Sequence, residues 1–276
     1  MDQSSSIRTT AIFMSPAALI AAVIVLPPLL YVLYTSVNGS ALTLQVYTEV
    51  LTSALFRKTL ETTIIISSVS CAVSVILGYV IAVHIANQPV RRRAILMGLV
   101  LLPLWTSILV KCFAFTVILG REGVINTILS WAFGAEVHLP LILNRVGTLV
   151  GMINWQVPIV VLSVLASLLA IDEAIYRAAA IMGAKPARIF WTVTVRLSLP
   201  GLFAGLIIIF VSSLSTFMVP ALLGGPKDNM LSNLVDYYTR QVLDWPKAST
   251  ISVVLVGMSL ILASPVAIWR RRKASR

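Results

Sequence analysis

The stretch Asp172–Pro200 reads DEAIYRAAAIMGAKPARIFWTVTVRLSLP and lies between two long apolar runs. It nevertheless carries Asp172, Glu173, Arg177, Lys185, Arg188 and Arg196. Its first half has the marks of a short helix. Asp172 is an N-cap residue, Ile175, Ala178, Ala179 and Met182 fall at helical spacing, and Gly183 suits a C′ stop. Pro186 can open a second short helix, where its missing N–H is not needed. The expected shape is a knob of two short helices joined by a Gly-Ala turn. Small residues at 178–180 and 183–184 would let another protein's backbone come close. Any Cβ at Gly183 should cost about 1 kcal/mol, and a bulky Gly183→Val should also push the two helices apart.

The flanking runs set the class. The chain is 58% hydrophobic and 11% charged, against about 25% charged for soluble domains. Six runs approach or exceed the roughly 20 residues that a span needs, at about 11–37, 60–86, 94–118, 146–169, 198–222 and 248–269. The expected fold is an all-α integral membrane protein with one transmembrane domain over 1–276. With both termini placed in the cytoplasm, thirteen of the 21 Lys and Arg fall on the inner side and seven on the outer. Three of the ten acids lie inside and seven outside. That asymmetry is the positive-inside bias. The net charge of +11 therefore points to an anionic lipid leaflet and not to nucleic acid.

Along the chain, span 1 is too long for the h-region of a signal peptide and reads as an uncleaved anchor, with a kink expected at Pro27-Pro28. Tyr47, Val50, Leu51, Leu55 and Phe56, within the polar stretch 38–59, predict a short helix on the outer surface. Asn87–Arg93 reads as a tight cytoplasmic turn, and 124–133 as a short apolar outer helix. Gly147-x-x-x-Gly151 and Gly201-x-x-x-Gly205 permit close helix crossings. Cys71 and Cys112 fall within spans and read as small buried hydrophobes. The Arg270–Lys273 run beyond Trp269 reads as a topological anchor.

Several chemistries find no support. No G-x-x-x-x-G-K-[ST] phosphate loop is present, and Gly224-Gly225-Pro226-Lys227 is too short and lies on the outer side. No span interior holds Asp or Glu, which ion-coupled carriers commonly use. Paired carboxylates, a Ser-His-Asp set and a metal-ligand cluster are all missing, and His84 reads as an interfacial polar residue. Neither catalytic nor metal-binding residues are expected. Lys111 would sit about 25 Å along a span starting at Ala94, at 1.5 Å per residue. It either lines a solute path or snorkels to the outer interface. The hydroxyls of span 5, Ser212, Ser213, Ser215 and Thr216, either line a polar path or bond between helices. Trp105, Trp155 and Trp269 read first as belt or core residues. A membrane-embedded enzyme and a secondary carrier or channel are the competing classes.

The 172–200 stretch resembles the EAA loop of permease subunits of ABC importers. The family pattern is Glu-Ala-Ala, three residues, Gly, nine residues, a hydrophobic residue, one more, then Leu-Pro. Ala178, Ala179 and Gly183 match, and Val193 takes the hydrophobic position. Arg177 stands where Glu is usual, Val195-Arg196 stand where Leu-Pro is usual, and Leu199-Pro200 follow. Leu102–Ser107 (LPLWTS), Leu119–Gly123 (LGREG) and Pro220–Pro226 (PALLGGP) are similar to permeases of the spermidine/putrescine subfamily. The matches run from about 43 to 265.

The resemblance implies a type I importer permease with six transmembrane helices and a cytoplasmic coupling helix within 171–197. It makes Arg177, Ala178, Ala179, Gly183, Ala184, Lys185 and Arg188 the candidates for ATPase coupling. It places the solute path around spans 3 to 5, with Trp105, Thr106, Lys111, Asn154, Trp155, Ser212, Ser215 and Thr216 as candidates. It implies a second permease of different sequence, two ATPase subunits that bind ATP and Mg²⁺, and a periplasmic or external solute-binding protein. No cofactor is expected on this chain. The location implied is the bacterial inner membrane. The substrate implied is a polyamine or related amine, with another small organic solute or ion as the alternative.

Overall fold

The computed structural model describes residues 3–37, 44–134 and 138–274, and it describes no side chains at 3–15, 17–18 and 265–274. Trp269, the Arg270–Lys273 side chains and residues 38–43 of the polar stretch therefore lie outside what is described. Every regular element among the described residues is helical. In chain order these are α1 (Gln3–Val37), α2 (Gln45–Thr52), α3 (Ala54–Ala86), α4 (Val90–Trp105), α5 (Ile108–Leu119), α6 (Val124–Phe133), α7 (Arg145–Leu169) and α8 (Glu173–Ile181). They continue with α9 (Pro186–Ile189), a π-turn over Phe190–Thr194, α10 (Val195–Leu214), α11 (Met218–Leu223), α12 (Leu231–Asp236), a π-turn over Tyr237–Val242, and α13 (Trp245–Ala274).

Five segments are long and apolar enough to cross a bilayer: Leu19–Val37, Ala54–Ala86, Arg145–Leu169, Pro186–Leu214 and Trp245–Ser264. The sixth expected span is not one helix. Val90–Trp105 stops at Thr106-Ser107, and Ile108–Phe133 leaves at 95° to it. Pro103 supplies a reason, since it cannot donate to the carbonyl of Leu99. Thr106 and Ser107 are then both extended, with ψ of 135° and 134°.

Span 5 also differs from 198–222. Its helix begins at Pro186, because the π-turn joins α9 to α10 with αR backbone on both sides. The second half of the expected knob is thus the first part of a helix long enough to span a membrane, Pro186–Leu214. At its C-terminal end α10 stops at Leu214, and α11 is a separate short helix. The predicted outer helix is split as well. Ser53 ends α2 and caps α3, accepting from Phe56 N at 3.1 Å, so Leu55 and Phe56 belong to the next element. Val50 and Phe56 are buried while Leu51 and Leu55 face outward. The short helix over 124–133 forms as expected, and α1 stays unbroken through Pro16, Pro27 and Pro28.

α3, α7 and α10 make the centre of the bundle, and α1 lies along α13. Cys71, Ala82, Ile85, Val160, Val164 and Ile209 pack together where the three central helices meet. Their close approach needs small residues. A Cβ at Gly78 would stand 2.7 Å from Val160 Cβ, and one at Gly201 would stand 2.3 Å from Ser163 O. Gly151 is equally tight, 2.7 Å from Leu223 Cδ1. Both Gly-x-x-x-Gly pairs therefore serve close crossings, one against α11 and one against α7. Cys71 and Cys112 are free thiols buried in apolar clusters, as the sequence suggested.

Candidate functional site

The coupling loop is built from local chemistry. Asp172 Oδ1 accepts from Ala174 N at 2.8 Å, which fixes the start of α8. At the other end Ala184 N donates to Ala179 O at 3.1 Å and Gly183 N to Ala180 O at 3.0 Å. That pair of bonds is a Schellman closure, and it requires the left-handed backbone of Gly183, with φ +77°. Lys185 is then extended and Pro186 opens the next helix.

No residue of α8 is buried. One side-chain bond links it to the bundle side, Tyr176 OH to Thr194 Oγ1 at 3.3 Å. Ile181 is 87% and Met182 86% exposed, with Trp191 at 65% nearby in sequence. Apolar side chains so exposed, beside exposed Lys185 and Arg188, form an apolar patch that nothing in this chain covers. Ala178 is exposed, whereas Ala179 and Ala184 are half-buried. Arg177 lines a cavity between α8 and the bundle.

Gly183 corrects one expectation. A Cβ built there meets nothing within 4 Å, so the helices would not be pushed apart. Only the backbone penalty remains. Gly183→Val should therefore cost about 1 kcal/mol through its positive φ, and Gly183→Asn, which tolerates that region, should cost less. The check is the ratio of uptake to ATP hydrolysis in the assembled transporter, with Asn above Val. Equal ratios for the two variants would show that the turn does not hold its left-handed form.

The path candidates divide into three groups, and no hydrogen bond joins them. Trp105, Thr106 and Lys111 meet at the break in the third span. Thr106 Oγ1 donates to Leu102 O at 3.0 Å, and Lys111 Nζ donates to Pro103 O at 2.8 Å. Both bonds satisfy carbonyls that the end of α4 leaves free. Lys111 therefore does not simply snorkel; its ammonium fastens the break. Trp105 beside it is 78% exposed. Asn154 and Trp155 sit half-buried on α7, and Trp155 Nε1 is buried without a partner.

Ser212, Ser215 and Thr216 close the C-terminal end of α10. Ser215 Oγ and Thr216 Oγ1 both donate to Ser212 O, at 3.1 and 2.9 Å. The hydroxyl of this set that bonds side chains of other helices is that of Ser213.

Ser213 belongs to a buried network that sequence reasoning missed. Gln156 is fully buried. Its Nε2 donates to Ser213 Oγ at 2.7 Å and Ser70 Oγ at 3.2 Å, and its Oε1 accepts from Ser74 Oγ at 2.8 Å. The network ties α3, α7 and α10 at mid-bundle, with Cys71 Sγ 3.8 Å from Ser213 Oγ. The signal was a lone Gln in an apolar run opposite Ser70 and Ser74, spaced four apart on one helix face. A second missed feature is at the start of α7, where Arg145 Nε lies 3.1 Å from Asp228 Oδ1. Asp228 Oδ2 also accepts from Gly225 N at 3.3 Å, seating the Leu-Gly-Gly-Pro loop on the start of α7. His84 reaches Gln88 at 3.4 Å, in keeping with an interfacial polar residue.

Residues 74–272 match the family described as "Binding-protein-dependent transport system inner membrane component". The spermidine/putrescine transport system permease protein PotB of Escherichia coli (strain K12) is 26% identical over 231 residues, 83% of this chain and 82% of the relative. The inner membrane ABC transporter permease protein YdcU of the same organism is 30% identical over 205 residues, 69% of this chain and 64% of the relative. Among solved structures, a chain of a bacterial alginate ABC transporter in complex with its pentasaccharide-bound periplasmic protein superposes with a TM-score of 0.82. It is 17% identical, and the match covers 96% of this chain and 94% of that one. A chain of the MetNI methionine ABC transporter gives a TM-score of 0.55 at 17% identity, over 76% and 92%. The chain belongs to the binding-protein-dependent transport system inner membrane components, as a multi-pass permease subunit of an ABC importer.

Proposed function

We propose that this permease forms half of a path for a polyamine or related small amine, handed over by an external binding protein. The observation that carries the coupling part is the exposed apolar knob of α8, Ile181 and Met182 together with Trp191. It is a ready dock for an ATPase subunit on the side that the Lys and Arg bias assigns to the cytoplasm. ATP and Mg²⁺ then reside in that partner. Closure of two ATPase subunits draws the coupling helices of this chain and a second, different permease together and opens the path outward. Release of ADP and phosphate returns it inward. In this reading Arg177, Ala178, Gly183, Lys185 and Arg188 serve coupling.

Support for the amine comes from the names of the PotB relatives of Escherichia coli and Haemophilus influenzae. One observation favours the alternative of another small solute: Lys111 fixes an ammonium at the break in the third span, an odd neighbour for a polycation. The experiment is uptake of labelled spermidine and putrescine into proteoliposomes holding the assembled transporter, with ATP and the cognate binding protein. ATP-dependent uptake is expected. Uptake of neither amine, while that binding protein delivers a different solute, would move the substrate class to that solute.

A further inference from the structure

Between α8 and the inner end of the bundle lies a cavity of about 530 Å³. Two arginines are among its lining residues, Arg93 from α4 and Arg177 from α8. Asn87, Tyr176 and Thr194 add polar groups and Glu173 one carboxylate, and the rest of the wall is apolar, from α3, the end of α7 and Phe190. Arg93 is committed on one edge only. Its Nη2 donates to Ala86 O at 2.9 Å and Gln88 O at 3.1 Å, which closes the Asn87–Arg93 turn. Its Nε is buried and has no hydrogen-bond partner. Among the described residues neither guanidinium has a carboxylate within 4.0 Å. A buried donor on a permanent cation is costly to leave unmade.

We infer that this cavity is a site for a phosphate group, which bridges Arg93 of the bundle and Arg177 of the coupling helix. A guanidinium presents donors in a fork that suits phosphate oxygens. An anion there offsets the excess of cation over Glu173. The consequence is mechanical. α8 has no buried residue and is tied to the bundle side by the Tyr176–Thr194 bond. A phosphate held between Arg93 and Arg177 adds a second tie and sets the angle at which Ile181 and Met182 meet the ATPase. The site regulates coupling and is independent of which solute is carried.

Two sources offer this chemistry, free inorganic phosphate and the head group of an anionic lipid in the inner leaflet. The experiment is hydrogen exchange at the amides of 173–181 in the assembled transporter, held in nanodiscs. One arm uses phosphatidylcholine discs with inorganic phosphate, against chloride at equal ionic strength. The other uses discs that contain phosphatidylglycerol. At a ligand concentration ten times its Kd, exchange should slow about tenfold. Slowing by phosphate in phosphatidylcholine identifies the free anion, and slowing confined to phosphatidylglycerol discs identifies the lipid. Arg177→Gln should abolish the slowing in either case, and α8 has no buried side chain whose packing that change could disturb. Arg93→Gln should do the same from the bundle side. No slowing in either arm, or equal slowing in Arg177→Gln, as phosphate bound on the ATPase subunits would give, overturns the site.

Discussion

Changing Ile181 and Met182 together to Asp is expected to abolish coupled uptake while the chain still inserts and folds. Neither side chain packs against the bundle, at 87% and 86% exposure, so nothing inside the permease depends on them. Their burial against a partner is worth about 1.5–3 kcal/mol each. Two carboxylates in that contact add the cost of desolvating unpaired charge. A loss of about 3 kcal/mol already weakens docking more than a hundredfold. The measurement is co-purification of the ATPase subunits with the variant, beside ATP-driven uptake. Both should fall to background, with the permease still monodisperse in detergent. An assembled, transporting variant would remove α8 as the coupling element and leave its apolar tip as an anchor in the inner leaflet.

Much of this architecture was legible in the residues, and the failures have physical causes. The coupling turn was legible because each device in it is local. Asp172 caps, Gly183 adopts a positive φ, and Pro186 starts a helix through chemistry that acts within a few residues. Membrane spans were legible through apolar length alone. Helix breaks inside apolar runs were not, because hydropathy is blind to them. The stop at Thr106-Ser107 depends on Pro103 freeing a carbonyl and on Lys111 and Thr106 arriving to satisfy others. The run from α9 into α10 was misjudged for the opposite reason. Its charged residues suggested an interruption, yet Phe190–Thr194 winds as a π-turn and keeps the helix continuous. The Gln156 network left only the faint signal of a lone Gln and a Ser pair, because it joins residues 57 and 86 positions apart. Only packing decides that Ser213 faces Gln156, while Ser215 and Thr216 turn back to Ser212.

Gly201→Leu is expected to cost more than any other single change to the central packing, and even Gly201→Ala should be damaging. A Cβ at position 201 would stand 2.3 Å from both Ser163 O and Ser167 Oγ, and 2.9 Å from Ser167 Cβ. Ser167 can turn its hydroxyl aside, but Ser163 O is backbone within α7 and cannot. The helices must therefore part by about 1 Å to reach ordinary contact distance. Overpacking of this kind costs about 1–3 kcal/mol. Here the separation also stretches the Gln156–Ser213 bond, 2.7 Å between the same two helices. Losing that bond leaves Gln156 its two bonds to α3 and adds about 0.5–1.5 kcal/mol. Gly205 grades the effect, since its Cβ would lie 3.1 Å from Ser163 Cβ, an overlap that a shift of a few tenths of an ångström relieves. Gly257, with nothing within 4 Å, supplies the control. Thermal melting of the purified transporter should rank Gly257→Ala with wild type, Gly205→Ala lower, and Gly201→Ala lowest. Gly201→Leu should yield little folded permease. If Gly201→Ala melts with Gly257→Ala, α10 does not approach α7 as closely as described, and the Gln156 network cannot be what ties the two helices together.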